Sequence, residues 1–534
     1  MFSIIKKQSF YLIYTLILIL VYFTYIFYVG FSPGDDFGHI NLTKENPNII
    51  NNIIEIFRRF PSLFARFFSG IMIGVMHPLL TDKYILFNIL SLSLWISTAI
   101  ILKNTFKILI GKKFSKLFFL IFSFPYLCFS IFYGNLLWAS YILFIFFWSL
   151  SFFFQVKYLE YNSKRNSFLY YLFLIISIFT FELIIPLLVI NALIPFHYKK
   201  NLFYKIKNFL IVFLFSLIFL FYKIFLIPNI VDVPVYAVSD MDIISILQGI
   251  YFFYTITIEN LILLIQSIKF SINFISLIIF LLLILLLYNF KLEKIVNKKT
   301  IFFIFILSLV SNIFIFFISG YPAVTYGHYN KMLVPAFFSI TFIVSYLFMC
   351  FNLNRFFLII FIFLIINSTY SQINNYAEAT RIKNDLVIKL TYYIKKNNLN
   401  NGDIVIINSP LFVKNNYNNE EIVFTIWDLR GIILDKTNKR LNPWLISDRL
   451  INIPNYYPNH NFLNSKYFID NSFNQTKFFY FQYDPELSSF EIFNNKIEFK
   501  KKIKSLKEKK INEDNFILRE KIRLFLKKII FHLI

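Results

Sequence analysis

Only two cysteines occur in 534 residues, Cys128 and Cys350, and both lie inside apolar runs. This excludes a disulfide framework and a cysteine zinc site. Glycine is also scarce, at 12 residues, and neither a Walker loop nor a dinucleotide fingerprint is present, so nothing in the chain cradles a nucleotide phosphate. The sequence has no His-Glu-x-x-His, no Gly-x-Ser-x-Gly and no clustered metal ligands. Charge is the last shortage: only 15% of residues are charged, against 58% hydrophobic and 21% aromatic. A chain so apolar, with several segments beyond the roughly 17 to 25 residues that span hydrocarbon, is an integral membrane protein.

What charge there is comes to a formal +24, carried mostly by lysines in the connections between apolar runs and in the C-terminal tail. That placement points to membrane lipids as the partner and away from nucleic acid. Positive connections also orient the bundle, because they stay cytoplasmic. The first run, about residues 10–28, follows Lys6 and Lys7 and lacks a small-residue cleavage site, as a retained signal anchor would. Residues of about 30–83 then form a first outer loop. Further spans are expected near 84–102, 117–133, 136–154, 208–227, 300–319, 332–351 and 356–372, with 167–195 dipping across and back. Residues 243–268 either lie along the interface or cross. If they lie along it, 271–289 re-enters and "KLEKIVNKKT" falls inside. The expected fold is an α-helical polytopic bundle of about ten or eleven transmembrane helices over residues 1–374.

From residue 375 to 534 the composition turns polar, and a small extracytoplasmic α/β domain is expected. Ile382, Leu386, Leu390 and Ile394 recur every four residues, which predicts an amphipathic helix ended by "NNGD". "DIVIIN", "EIVFTIWDL" and "KFFYFQYD" read as strands. The final "REKIRLFLKKIIFHLI" fits either a membrane-surface helix or one that packs on the domain.

Several residues stand out as chemistry-bearing. In "SPGDDFGHIN", Asp35 and Asp36 sit side by side just after the first span. Two adjacent carboxylates in a partly desolvated place cannot both ionise cheaply, so one can take a proton from a hydroxyl; the plainer reading is a turn whose Asp caps a helix. Arg58, Arg59 and Arg66 follow in "EIFRRFPSLFARFFSG", on the side where cations are depleted, and suit an anionic group or lipid headgroups. Arg59 and Arg66 share a face if the helix runs through Pro61. Glu182 in "FTFELIIPLL" is an acid near the outer end of a short helix pair, where an unpaired charge is costly. Asp240 and Asp242 in "VSDMDI" can hold a divalent cation, Mg or Mn, or simply start a helix. "SGYPAVTYGHYNKMLVP" gathers Tyr321, Tyr326, His328, Tyr329 and Lys331 in an outer loop, where His and Lys suit a phosphate and the tyrosines a sugar ring. Interfacial aromatics account equally for the tyrosines. His39 and His77 read as loop and interface residues.

The pieces "GDDF", "FARFFSG", "FTFELIIPLL" and "YGHYNKMLVP", in that order, resemble the GT-C class of membrane glycosyltransferases, in particular the bacterial branch related to O-antigen glucosyl-modifying enzymes. The resemblance implies an inverting transfer of a sugar from a polyprenyl-phosphate donor to a glycan, lipid or protein acceptor on the outer face of the inner (plasma) membrane. It implies Asp36 or Asp35 as base and places Arg66, His328 and Lys331 toward the lipid phosphate, with Glu182 near donor or acceptor. The Arg segment departs from the family in lacking a Gly-Arg pair, which favours Arg58 and Arg59 over Arg66. No cofactor is required unless Asp240 and Asp242 recruit a metal. The competing readings are a transporter or flippase for lipid-linked sugars, which favours internal repeats and broken helices, and a polysaccharide polymerase.

Overall fold

The structure is a computed structural model of the chain. It describes residues 2–30, 48–59, 61–80, 83–132, 137–198, 201–227, 243–271, 273–287, 298–319, 323–325, 328–351, 354–409, 426–439, 441–446, 478–494, 497–499, 501–502 and short helical pieces between 518 and 526. The chain divides into two compact units, residues 1–27 with 46–374 and residues 28–45 with 375–534.

The first unit is helical. Among the described residues, eight helices are long and apolar enough to cross a membrane: Phe10–Tyr28, Tyr84–Leu109, Tyr141–Tyr161, Leu202–Phe221, Gly249–Lys269, Lys299–Phe316, Asn330–Cys350 and Arg355–Lys396. Three shorter apolar helices, Phe67–Met76, Glu182–His197 and Phe274–Leu287, accompany them. Lys298 Nζ lies 3.3 Å from His197 Nε2, so the end of the Glu182–His197 segment and the start of the Lys299–Phe316 helix meet.

Two sequence expectations change, and a third takes a defined form. The span expected near 117–133 is instead the 11-residue helix Lys112–Phe122, followed by irregular backbone and a 3₁₀ turn at Phe129–Phe132. Every residue of 123–132 is buried. Pro125 has no N–H to continue the helix, and irregular backbone inside an apolar bundle survives only where other groups satisfy it. Tyr22 Oη donates to Ser123 O at 2.7 Å, Trp95 Nε1 to Phe122 O at 3.1 Å, Gln372 Nε2 to Tyr126 O at 2.5 Å and Tyr25 Oη to Phe132 O at 3.2 Å.

Residues 243–271 form one continuous helical run, Ile243–Tyr254 and Asn260–Ser271 joined by a π-helical turn at Thr255–Glu259. The run is long and apolar enough to cross, one of the two readings the sequence left open.

The other change lies between the first two long helices, where two helices pack together, Ile49–Arg59 and Phe67–Leu80. Pro61 ends the first of them and opens a 3₁₀ turn, Pro61–Arg66, so Arg59 and Arg66 do not share a continuous α-helical face. The helices approach closely through Gly70 and Gly74, a small-x-x-x-small spacing. A Cβ at Gly74 would sit 2.9 Å from the Ile53 Cα and 2.5 Å from its Cγ1, and Asn52 Nδ2 donates to Gly74 O at 2.8 Å. Gly74→Val is therefore expected to cost about 1 to 3 kcal/mol and to lower the unfolding midpoint of the purified protein, as overpacking does; an unchanged midpoint would contradict this packing.

Buried amides tie the inner helices together. Asn191 accepts from Trp148 Nε1 at 2.7 Å and exchanges hydrogen bonds with Gln155, whose Nε2 reaches Asn191 O at 2.6 Å. Such bonds replace the hydrophobic driving force that lipid removes between helices.

The second unit contains a four-stranded sheet, order β2-β1-β3-β4, with β1 Ile404–Asn408, β2 Asn442–Ile446, β3 Phe478–Gln482 and β4 Ser489–Phe493. β1 is parallel to β2 and β3, and β4 is antiparallel to β3. The amphipathic stretch is the final part of the 42-residue helix Arg355–Lys396, and Leu386, Leu390 and Ile394 pack on Val405, Ile407, Phe479 and Phe481. The alternate residues of β1 and β3 face that core, as a period of two requires. Beyond the helix, Asn398 and Gly402 take positive φ in the turn.

"EIVFTIWDL" is not a strand over its described part: residues from Ile426 belong to the helix Ile426–Thr437, which crosses between the parallel strands β1 and β2. Its core residues Leu429 and Ile433 are spaced by four, a helical period that a short apolar run conceals. In the tail, Arg519 and Arg523 are buried, so that face packs against protein, as a domain-packing helix does. Tyr483 donates to Asp385 Oδ2 at 2.9 Å, and burial, with the Asp385 carboxylate, pushes its phenol above the ordinary range.

Candidate functional site

The helices Lys164–Ile178 and Ile185–Leu193 form a hairpin that turns at a 3₁₀ segment beginning with Glu182. Phe181 is extended, and Pro186 sits in the first turn of the returning helix, so the reversal is sharp and Glu182 lies at its tip. The Arg66 segment docks on this tip. Ser69 Oγ donates to Thr180 O at 2.7 Å, and Phe68 N–H donates to Phe179 O at 3.3 Å. A third element arrives from the helix Leu202–Phe221, which continues into a π-helical turn at Tyr222–Leu226. Tyr222 Oη donates to Phe64 O at 2.9 Å.

These anchors bring three charges together. Arg66 grips Glu182 with two bonds, Nε to Oε2 at 3.0 Å and a terminal nitrogen to Oε1 at 2.5 Å, in the planar two-point arrangement that only guanidinium provides. Lys223 Nζ lies 3.2 Å from the same Oε1. The side chains of Arg66, Glu182 and Lys223 are 22%, 16% and 6% exposed. A cluster so desolvated holds its charges only because they are paired.

The late loop meets the same place through aromatic rings. The Arg66 guanidinium stands 4.2 Å over the Phe181 ring, Phe181 and Tyr141 have centroids 4.6 Å apart, and Lys331 Nζ is 5.1 Å over the other ring, Tyr141. Lys331 is buried, and its N–H donates to Ser130 Oγ at 2.9 Å. Among the described residues Glu182 thus pairs with two cations, Arg66 and Lys223, and a third, Lys331, stands beyond the adjoining Phe181 and Tyr141 rings. It lies at the end of the Glu182–His197 segment away from the Lys298–His197 contact, a separation of about 20 Å at helical rise.

The structure thus brings Arg66, Glu182 and Lys331 together and leaves Arg58 elsewhere: Arg58 is 78% exposed and pairs with Glu55 at 3.3 Å. Pro61 breaks the helix, and the segment after it places Arg66 on the hairpin. Arg59 ends its helix and His328 opens a 3₁₀ turn, their side chains lying outside the described residues. Asp35, Asp36, His39, Asp240, Asp242, Tyr321 and Tyr326 also lie outside them, and no group of three or more potential metal ligands occurs among the described residues.

Two buried ionisable residues absent from the sequence candidates join the picture, Lys223 and Glu259, and each occupies a π-helical turn. π turns interrupt a helix at a cost that is met most often where a side chain must be re-aimed. The signal was present in the sequence as one lysine inside the apolar run "IFLFYKIFLI" and one glutamate inside "YTITIENLILL". No protein-family model and no curated protein matches the chain.

Proposed function

We propose that the chain is a membrane glycosyltransferase that takes a sugar from a polyprenyl-phosphate carrier and passes it to a glycan, lipid or protein acceptor on the outer face of the plasma membrane. The observation that carries this reading is the buried Arg66–Glu182–Lys223 cluster, with Lys331 joined to it through the Tyr141 and Phe181 rings. Buried cations in an apolar bundle suit an anion that is itself lipid-borne, and a departing polyprenyl phosphate is such an anion. Glu182 holds Arg66 and Lys223 in place between turnovers, and the Phe181 and Tyr141 rings keep the cations spaced. Asp36, with Asp35 beside it, supplies the base that deprotonates the acceptor hydroxyl as it attacks the anomeric carbon, while the carbon–oxygen bond to phosphate breaks. Because the donor is already activated, the lack of a nucleotide motif is consistent with the reaction. Asp240 and Asp242 remain the residues for a divalent cation, should the donor bring one.

The second unit is proposed to lie on the same outer face. The flippase reading keeps one supporting observation, the irregular buried backbone of 123–132 together with two π turns, features common where helices line a translocation path. One experiment separates the two. Sealed right-side-out vesicles containing the protein and a polyprenyl-phosphate sugar are expected to glycosylate an externally added envelope glycan. Movement of the lipid-linked sugar across the bilayer without any transfer would overturn the transferase reading.

A further inference from the structure

Glu259 is fully buried inside the helical run 243–271 and has no contact with the Arg66 cluster among the bonds described above, yet it grips the loop that delivers Lys331 to it. Its Oε1 accepts both the Thr325 N–H at 3.2 Å and the Thr325 hydroxyl at 3.0 Å. Its Oε2 lies 3.1 Å from Thr255 Oγ1, whose own hydroxyl is 2.5 Å from Ala323 O. The carboxyl group therefore closes a clasp from one π turn, Thr255–Glu259, onto residues 323–325.

The clasp leads directly to Lys331. Asn330 Nδ2 reaches Thr325 O at 3.5 Å and Gln372 Oε1 at 3.4 Å, and Asn330 Oδ1 accepts from Ser130 N at 2.9 Å. The next residue, Lys331, donates its N–H to the hydroxyl of that same Ser130. Residues 323–325 are thus held to the π turn, and Asn330 and Lys331 to the buried backbone of 123–132. A lysine has four rotatable stem bonds, so its ammonium is placed over Tyr141 only if its backbone is fixed. The π turn explains how Glu259 reaches Thr325, since the extra residue in the turn shifts side-chain direction relative to a regular helix.

We infer that Glu259 is a positioning residue, which fixes Ala323–Thr325 and, through the Thr325–Asn330 contact, sets Lys331 against the donor phosphate. The phosphate role rests on the function proposed above; the ordering of the loop does not.

The test compares Glu259→Ala with Glu259→Gln in the full-length protein. A glutamine can keep the clasp, its carbonyl accepting from Thr325 and its amide N–H donating to Thr255 Oγ1 while that hydroxyl donates to Ala323 O. Alanine leaves the Thr325 N–H and hydroxyl without their acceptor. Glu259→Ala is expected to raise the KM for a polyprenyl-phosphate sugar by about tenfold, with kcat changed less than the KM, and Glu259→Gln to return to within about threefold of the parent. Hydrogen exchange is read in parallel across residues 323–333, where Ala speeds deuterium uptake and Gln does not. A Gln variant as impaired as Ala in both measurements, or an Ala variant with unchanged exchange, overturns the inference. If the parent protein shows no transfer at all, the exchange comparison alone decides it, and only the proposed function fails.

Discussion

Arg66→Met is expected to raise the donor concentration needed for half-maximal transfer by about tenfold to a hundredfold while the protein stays folded, whereas Glu182→Ala is expected to be the less stable of the two. The asymmetry follows from the charges. Removing Arg66 leaves Glu182 paired one-to-one with Lys223 at 3.2 Å, a neutral pair that a half-buried site tolerates. Removing Glu182 leaves Arg66 and Lys223 facing each other in a poorly solvated place, and breaking a buried pair in this way costs about 3 to 5 kcal/mol. Binding of an anion selectively to the folded state offsets part of such a loss. Melting curves with and without added polyprenyl phosphate check this: the lipid should raise the midpoint of Glu182→Ala more than that of the parent. An equal rise in both, or wild-type donor dependence in Arg66→Met, would remove the cluster from phosphate binding. Arg66→Lys sharpens the comparison, because it keeps the charge but loses the two-point grip on Glu182 and the stacking over Phe181.

Asp36→Asn, and more completely the double change with Asp35→Asn, is expected to lower transfer by about a hundredfold to ten-thousandfold, the usual contribution of a positioned general base, with expression and lipid-phosphate binding preserved. The reasoning is chemical. The attacking hydroxyl must lose its proton as the new bond forms, and an asparagine of the same shape offers no basic oxygen. The two aspartates follow the first span directly, and in the proposed reaction the cations of the cluster are assigned to the other end, the departing phosphate. Full transfer in the double variant would refute the aspartate base. Loss of transfer together with loss of lipid-phosphate binding would instead assign the aspartates to substrate holding.

Much of the bundle was legible because hydrocarbon-spanning segments announce themselves by length and composition, and no tertiary contact is needed to see them. Glu182 was legible for the complementary reason: an acid in an apolar segment is costly, so it is retained only with a partner. Its partners were not legible, since Arg66 is 116 positions away and Lys223 is 41 positions beyond, and neither distance leaves a trace in local pattern. Lys223 and Glu259 carried the same signal, a lone charge in an apolar run, but the π turns that aim them have no sequence signature of their own. The misread strand at residues 426–429 shows the same limit at short range. A run of five or six apolar residues fits a buried strand as well as a helix, and packing of Leu429 and Ile433 on the second unit's core decided it.

The sequence by itself determined that this is a membrane-spanning helical protein with a polar α/β C-terminal part, because solvent partitioning acts on each segment independently. It also determined which ionisable residues had to find partners. Only the tertiary structure decided which partners they found. It turned Arg66 away from Arg59 at Pro61, set Lys223 on the same carboxyl oxygen of Glu182, and carried Lys331 to the Tyr141 ring through a clasp at Glu259. Charge pairing in a low-dielectric interior depends on distances of a few ångströms, and such distances are set by how helices pack rather than by their order in the chain.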